Sequence, residues 1–230
     1  MAKFEIIDTN TWIRKSQFDF FSTFLNPDYG FNKKIDVTTV LEYSKETKTS
    51  FFINFLYVFS LAMNDIPEMR LRYVNGEVRR YDLINPGYTV KTNDGSFNNC
   101  GHEFTRNYQE FYSRAHEQIE IHKEKVLTRE NYNDNVLYNE FYATCVPIID
   151  FEAMTHPLPL GDKNSLCVPR ACWGKYVFID GKYMMNLNIT VSHMLVDGFP
   201  LAETFNLLQK YCDEFKELIK KWGCFINNYL

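Results

Sequence analysis

From Phe51 to Met63 the chain is almost entirely apolar, broken only by Asn54 and Ser60, and this stretch constrains the fold more than any other. Thr49 or Ser50 offers an N-cap and Asn64-Asp65 a stop, so the run reads as a helix. It is too short to span a bilayer, and a helix apolar on every side is a buried one. The segments around it alternate in type. Asp8, Thr9 and Asn10 offer a cap before Trp12, with Phe18, Phe21 and Leu25 at helical spacing until Asn26-Pro27. Ile35 to Val40 alternates like a strand, and Arg70–Val74, Asn75-Gly76 and Glu77–Tyr81 read as a hairpin on a strong turn signal. Thr105 to Val126 reads as a helix, Thr128 to Asn135 as a polar loop.

The second half is mostly strand. Glu140–Ile149, Ala171–Ile179 and Tyr183–Ser192 are the candidate arms, with an Asp180-Gly181 turn between the last two. From Pro200, a favoured first-turn residue, Leu201, Phe205, Leu208, Cys212, Phe215 and Ile219 form one apolar stripe of a long helix. Helices mixed with antiparallel strands predict an α+β chain, one sheet covered by helices.

Length fits a single domain over residues 1–230 better than two, at roughly 150 residues per domain. A net charge of −4 argues against nucleic acid as a main partner. Twenty Phe and 15 Tyr suggest aromatic walls around a core, an interface or an apolar pocket. The first twenty residues mix Lys3, Glu5, Asp8, Arg14, Lys15 and Asp19 with aromatics, so no signal peptide is expected. Six cysteines, Cys224 among them, sit at no metal spacing and read as free thiols in a reducing cytoplasm. We expect a soluble protein with no membrane partner and no metal.

The sharpest chemical feature is His193-Met194-Leu195-Val196-Asp197-Gly198, where a strand gives way to a helix. An imidazole held there can face a cleft with a pKa near working pH. Asp197 can fix a turn or an ion pair, and Gly198 would allow a tight path that a Cβ obstructs. Alone, the spacing reads first as a core histidine beside an Asp-Gly turn. His102, His116, His122 and His156 show no ligand spacing. Asp134, beside Asn133 and Asn135, reads as loop. Phosphate loops, paired cysteines and a nucleophile elbow are missing.

Other segments add context. Trp12-x-Arg14-Lys15-x-x-Phe18-x-Phe20-Phe21, Ile35-Asp36-Val37-Thr38, Ile66-Pro67-Glu68-Met69-Arg70-Leu71-Arg72, a turn at Asn85-Pro86, Thr144-Cys145-Val146-Pro147-x-x-x-Phe151 and Gly174-Lys175-Tyr176 occur in order, and eighteen positions separate Lys175 from His193. Together with His-x-x-x-Asp-Gly, this series resembles the chloramphenicol acetyltransferases of the coenzyme-A-dependent acyltransferase superfamily, over nearly the whole chain. The resemblance implies their fold, a two-layer sandwich of a mixed, mostly antiparallel sheet covered by helices. It implies acetyl-CoA as co-substrate, no metal, and a homotrimer whose sites lie between subunits.

Roles follow from the resemblance residue by residue. His193 matches the general base that deprotonates the acceptor hydroxyl, most naturally the 3-hydroxyl of chloramphenicol. Asp197 matches a structural carboxylate paired with the arginine at Arg14. Thr144 stands where a serine stabilises the oxyanion, and its hydroxyl can donate likewise. Phe20, Phe21, Leu25 and Tyr29 fall at acceptor-pocket positions, with Phe21 where the family has a tyrosine. Cys172 replaces a threonine that assists the oxyanion, and Ser192 stands where a second histidine is common. Lys175 is a candidate for the coenzyme's phosphates. Cys145 and Cys172 lack any partner in sequence that would lower a thiol pKa, which argues against an acyl-cysteine. Two alternatives stay open: another acceptor, including the core of a 2-oxo acid dehydrogenase acyltransferase, and a catalytically idle trimeric binding protein.

Overall fold

The computed structural model describes residues 2–124, 137–159 and 162–222. The expected loop at Thr128–Asn135, with Asp134, and Cys224 lie outside the described residues. In chain order the elements are β1 (Phe4–Ile7), α1 (Lys15–Phe21), β2 (Asp28–Asp36), α2 (Thr38–Thr47), α3 (Phe51–Asp65), a 3-10 turn at Pro67–Arg70, β3 (Leu71–Val74), β4 (Glu77–Tyr81), β5 (Asn85–Lys91), β6 (Phe97–Gly101), α4 (Tyr108–Glu124), β7 (Glu140–Cys145), α5 (Lys163–Leu166), β8 (Arg170–Ile179), β9 (Lys182–Ser192), α6 (Gly198–Asp213) and α7 (Phe215–Trp222). A six-stranded sheet runs β2-β9-β8-β7-β5-β6, and a three-stranded one runs β1-β4-β3. Among the described residues, only β5–β7 and β7–β8 pair in parallel. The class is therefore α+β with a mostly antiparallel mixed sheet, but with a second small sheet where the sequence predicts one.

The apolar run forms α3, with Ser50 as its N-cap, and residues Ile53 through Asn64 are all buried. Its polar positions are satisfied, which is what lets them stay there. The Asn54 side chain donates to Ser44 Oγ and Thr49 Oγ1, both at 2.8 Å, and accepts from Tyr108 at 2.7 Å. Asn64 exchanges two bonds with Ile84 and so pins the end of α3 to the entry of β5.

Four local expectations are corrected. The strand predicted at Ile35–Val40 stops at Asp36, whose carboxylate accepts from both the amide and the hydroxyl of Thr38 and so turns the chain into α2. The first helix covers only Lys15–Phe21, because the Asp8 side chain is taken up by a turn with Asn10 and Thr11 instead of capping. Asn85-Pro86 opens β5 rather than turning, and the C-terminal helix breaks at Glu214. The hairpin at Asn75-Gly76 has φ values of 52° and 92°, as a primed turn requires. Among the described residues no helix is long and apolar enough to cross a membrane.

The two faces of the large sheet differ in chemistry. Along β9, Met185, Leu187, Ile189 and Val191 enter the core with residues of α3 and α6. Their alternates Asn186, Asn188, Thr190 and Ser192 take the opposite face. Pairing carries that polar face across the sheet, through Thr144↔Cys172↔Asn188 and Arg170↔Thr190.

Candidate active site

His193 sits one residue past β9. Its amide still donates to Pro27 O at 3.0 Å, and the amides of Leu195 and Val196 fold back onto Ser192 O, also at 3.0 Å. Met194, Leu195 and Val196 are buried and anchor this turn. Asp197 then occupies the N-cap of α6 yet makes no side-chain cap, which forgoes the usual contact of an aspartate there. Its carboxylate instead takes Arg14 in a bidentate grip, from Nε at 2.7 Å and Nη2 at 2.5 Å. Arg14 also donates to the carbonyls of Met194 at 2.9 Å and His193 at 3.2 Å. One guanidinium thus fixes both ends of the His193–Asp197 turn, and its bond to Asp197 holds that carboxyl below the usual range. The structure gives Gly198 a smaller role than expected: a Cβ there would meet only the Phe31 ring, at 4.0 Å.

The imidazole is clasped by two aromatic rings. Phe21 stacks on it at 3.9 Å and 10°, Tyr29 at 4.4 Å and 30°. Two rings so close and so nearly parallel must lie on opposite faces of the imidazole. Burial, then the nearby Asp197 charge, push the Tyr29 hydroxyl up to about 12, so it stays protonated and donates to Val196 O. Nδ1 of His193 is buried and lies 3.4 Å from Asp197 Oδ1, outside hydrogen-bond geometry. Since the side chain is 30% exposed, the open edge is the one bearing Nε2. Phe20 packs edge-on against Phe21, while Leu25 is exposed.

The other predicted residues gather elsewhere. A cavity of about 530 Å³ opens on the polar face of the large sheet, lined by Gly87, Thr144, His156 and Arg170 among others. Thr144 Oγ1 lies 3.4 Å from the Thr89 hydroxyl. Cys172, its register partner, is buried beside the cavity without lining it. Burial pushes the Cys172 thiol up to about 11 and Cys145 to about 12, so neither offers a thiolate near neutral pH. Lys175 is exposed and follows a close crossing: a Cβ on Gly174 would come within 2.6 Å of Ile149 O. His156 carries no signal in its spacing, because only the folded register brings its loop onto this face.

Register also measures the gap between the two groups. Thr144 aligns with Asn188, two strands away and five residues before His193. At about 4.8 Å per strand and 3.3 Å per residue, their Cα atoms are roughly 19 Å apart within one chain.

Beneath the His193 turn, the side chain of Asp28 is only 2% exposed and lies 3.8 Å from Arg170. It accepts no hydrogen bond among the described residues, and burial, opposed by Arg170, pushes its pKa up to about 6. A raised carboxylate adds stability that is full below about pH 4 and is lost as pH rises through about 6. With a shift of about 2 units, the wild-type advantage over Asp28→Asn should fall by about 2.5 kcal/mol between pH 4 and 7. Urea unfolding midpoints of the two proteins across that range check this; parallel curves would refute it.

The chain is similar to known proteins along most of its length. The family described as chloramphenicol acetyltransferase matches residues 2–209. The chain is 28% identical to a chloramphenicol acetyltransferase of Proteus mirabilis over 220 residues, 91% of this chain and 94% of that protein. A solved chloramphenicol acetyltransferase superposes with a TM-score of 0.84 at 26% identity, over 92% of this chain and all of that one. A dihydrolipoamide acetyltransferase of Azotobacter vinelandii shares the fold, with a TM-score of 0.65 at 16% identity over 90% of this chain and 89% of that one.

Proposed function

Since the chain belongs to the chloramphenicol acetyltransferase family and is an acetyltransferase, we propose that it moves the acetyl group of acetyl-CoA to a hydroxyl of a small acceptor, chloramphenicol first among them, with His193 as general base. The observation that carries this is the fixed imidazole. Two aromatic rings set its plane, the Arg14–Asp197 clamp sets its backbone, and its Nε2 edge is open. Preorganised in this way, Nε2 can take the acceptor's proton as the oxygen attacks. As the tetrahedral intermediate collapses, the imidazolium returns that proton to the sulfur of the departing coenzyme A. Acetyl-CoA supplies the thioester carbonyl. Thr144 offers a hydroxyl to the oxyanion, and the exposed ammonium of Lys175 suits an anionic phosphate.

A gap of roughly 19 Å keeps His193 from serving the Thr144 of its own chain. This supports a homotrimer in which His193 of one subunit faces the cavity of the next. Ile13 beside Arg14, Phe20 in α1, Leu25 just beyond α1 and Phe199 in the first turn of α6 are all exposed and supply apolar surface for such a contact. A single domain over residues 1–230 and a place in the cytoplasm complete the reading; the described cysteines are all free thiols.

Purified protein given acetyl-CoA and chloramphenicol should release coenzyme A, followed with a thiol reagent. Release only with other alcohols would change the acceptor. No binding of coenzyme A by calorimetry, together with no release from any alcohol tried, would leave an idle relative and reject the enzyme.

A further inference from the structure

His156 lines the same cavity as Thr144, and its neighbours decide which of its nitrogens carries the proton. Asn188 donates from Nδ2 to Phe31 O at 3.4 Å and to Asn32 Oδ1 at 3.0 Å. A main-chain carbonyl can only accept, so the orientation of the Asn188 amide is set. Its Oδ1 accepts from Thr190 Oγ1 at 3.0 Å and lies 3.1 Å from His156 Nε2. Nε2 must therefore carry the hydrogen, which leaves Nδ1 with a lone pair. Burial, and then the charge of Arg170, lower the His156 pKa and keep the ring neutral. Nδ1 has no hydrogen-bond partner among the described residues, and it is not one of their sealed, unpartnered atoms.

We propose that His156 determines acceptor specificity: its Nδ1 accepts a hydrogen bond from a second O–H or N–H on the acceptor, so the preferred substrates are alcohols bearing a further donor beside the reacting hydroxyl. This rests on the acetyl-transfer reading. A fixed lone pair cannot bond a carboxylate, nitro or ether oxygen. A site built for a donor rejects analogues that lack it, because its own polar group is left unpaired.

Three variants separate the two nitrogens. Asparagine places its carbonyl oxygen near the position of Nδ1; glutamine places its amide nitrogen near that of Nε2; leucine has neither. In calorimetry without acetyl-CoA, chloramphenicol, whose second hydroxyl and amide N–H are donors, should bind His156→Asn within about threefold of wild type. His156→Gln and His156→Leu should bind roughly 10- to 100-fold more weakly. The 15N spectrum of labelled histidine should show Nε2 protonated and Nδ1 bare in the free protein. The Nδ1 resonance should move when chloramphenicol or a simple 1,3-diol is added. A proton on Nδ1, wild-type affinity in His156→Gln, or an Nδ1 resonance unmoved by chloramphenicol and by a set of 1,3-diols would each overturn the assignment. Lack of thiol release with every alcohol tried would defeat the acetyl-transfer reading instead, while the spectrum still decides His156.

Discussion

His193→Ala is expected to lower kcat for acetyl transfer by about 10² to 10⁴-fold, the range in which a positioned general base contributes, while leaving the fold in place. The second half of that statement comes from what Arg14 holds. It bonds the main-chain carbonyls of His193 and Met194 and the carboxylate of Asp197, none of which the substitution removes. Phe21 and Tyr29 would lose a stacking partner already 30% exposed on its side chain, and partly exposed contacts cost little stability. The variant should therefore unfold within about 1 kcal/mol of wild type, and circular dichroism with urea titration tests that beside the thiol-release assay. A variant that is folded and still turns over at the wild-type rate would remove His193 from the role of base. The loss should fall on kcat rather than KM, since Nε2 acts on a proton in flight more than on the bound acceptor.

What sequence could show and what it could not divides along the distance between partners. The apolar α3, the Asn75-Gly76 hairpin and the β8–β9 arms were all legible, because their signals are local: a cap, a primed turn, a period. Arg14, Asp197 and His193 were legible only through the order of motifs, since 183 positions separate the arginine from its carboxylate. β1 is only four residues long, and β5 and β6 carry no local strand signal. Asn85-Pro86-Gly87 carries turn residues, and Phe97–Gly101 lacks β-branched side chains, so both become strands through pairing with distant segments. The misread of Ile35–Val40 shows the converse, a period of two overridden by one Asp36–Thr38 cap. His156 lay beyond reach altogether. Its tautomer depends on Asn188, whose orientation depends in turn on Phe31 and Asn32, a chain of contacts that exists only once β2 and β9 have paired.

Thr144→Ala is expected to cost about 10² to 10³-fold in kcat, as loss of one oxyanion donor does elsewhere, and combining it with His193→Ala separates an inter-subunit site from one contained in a single chain. Each variant alone should be nearly inactive. If His193 of one subunit serves Thr144 of the next, a trimer assembled from both variants contains some sites with both groups intact. Such a site needs its histidine from a Thr144→Ala subunit and its threonine from a His193→Ala subunit. In a symmetric ring of three, every trimer that holds both variants has one such junction, so about a third of the sites, and of wild-type activity, should return in the mixed species. Co-expression with two distinct affinity tags, purification of the mixed species and the thiol-release assay give the readout. Activity that stays at the level of the separate variants would mean that both groups act within one subunit. The turn holding His193 or the strand holding Thr144 would then have to move by much of the roughly 19 Å between them. Such a movement conflicts with the Arg14 clamp and with Thr144 sitting in the paired strand β7. Recovery near a third of wild-type activity needs no such movement, only a second copy of the chain set against the open Nε2 edge of His193.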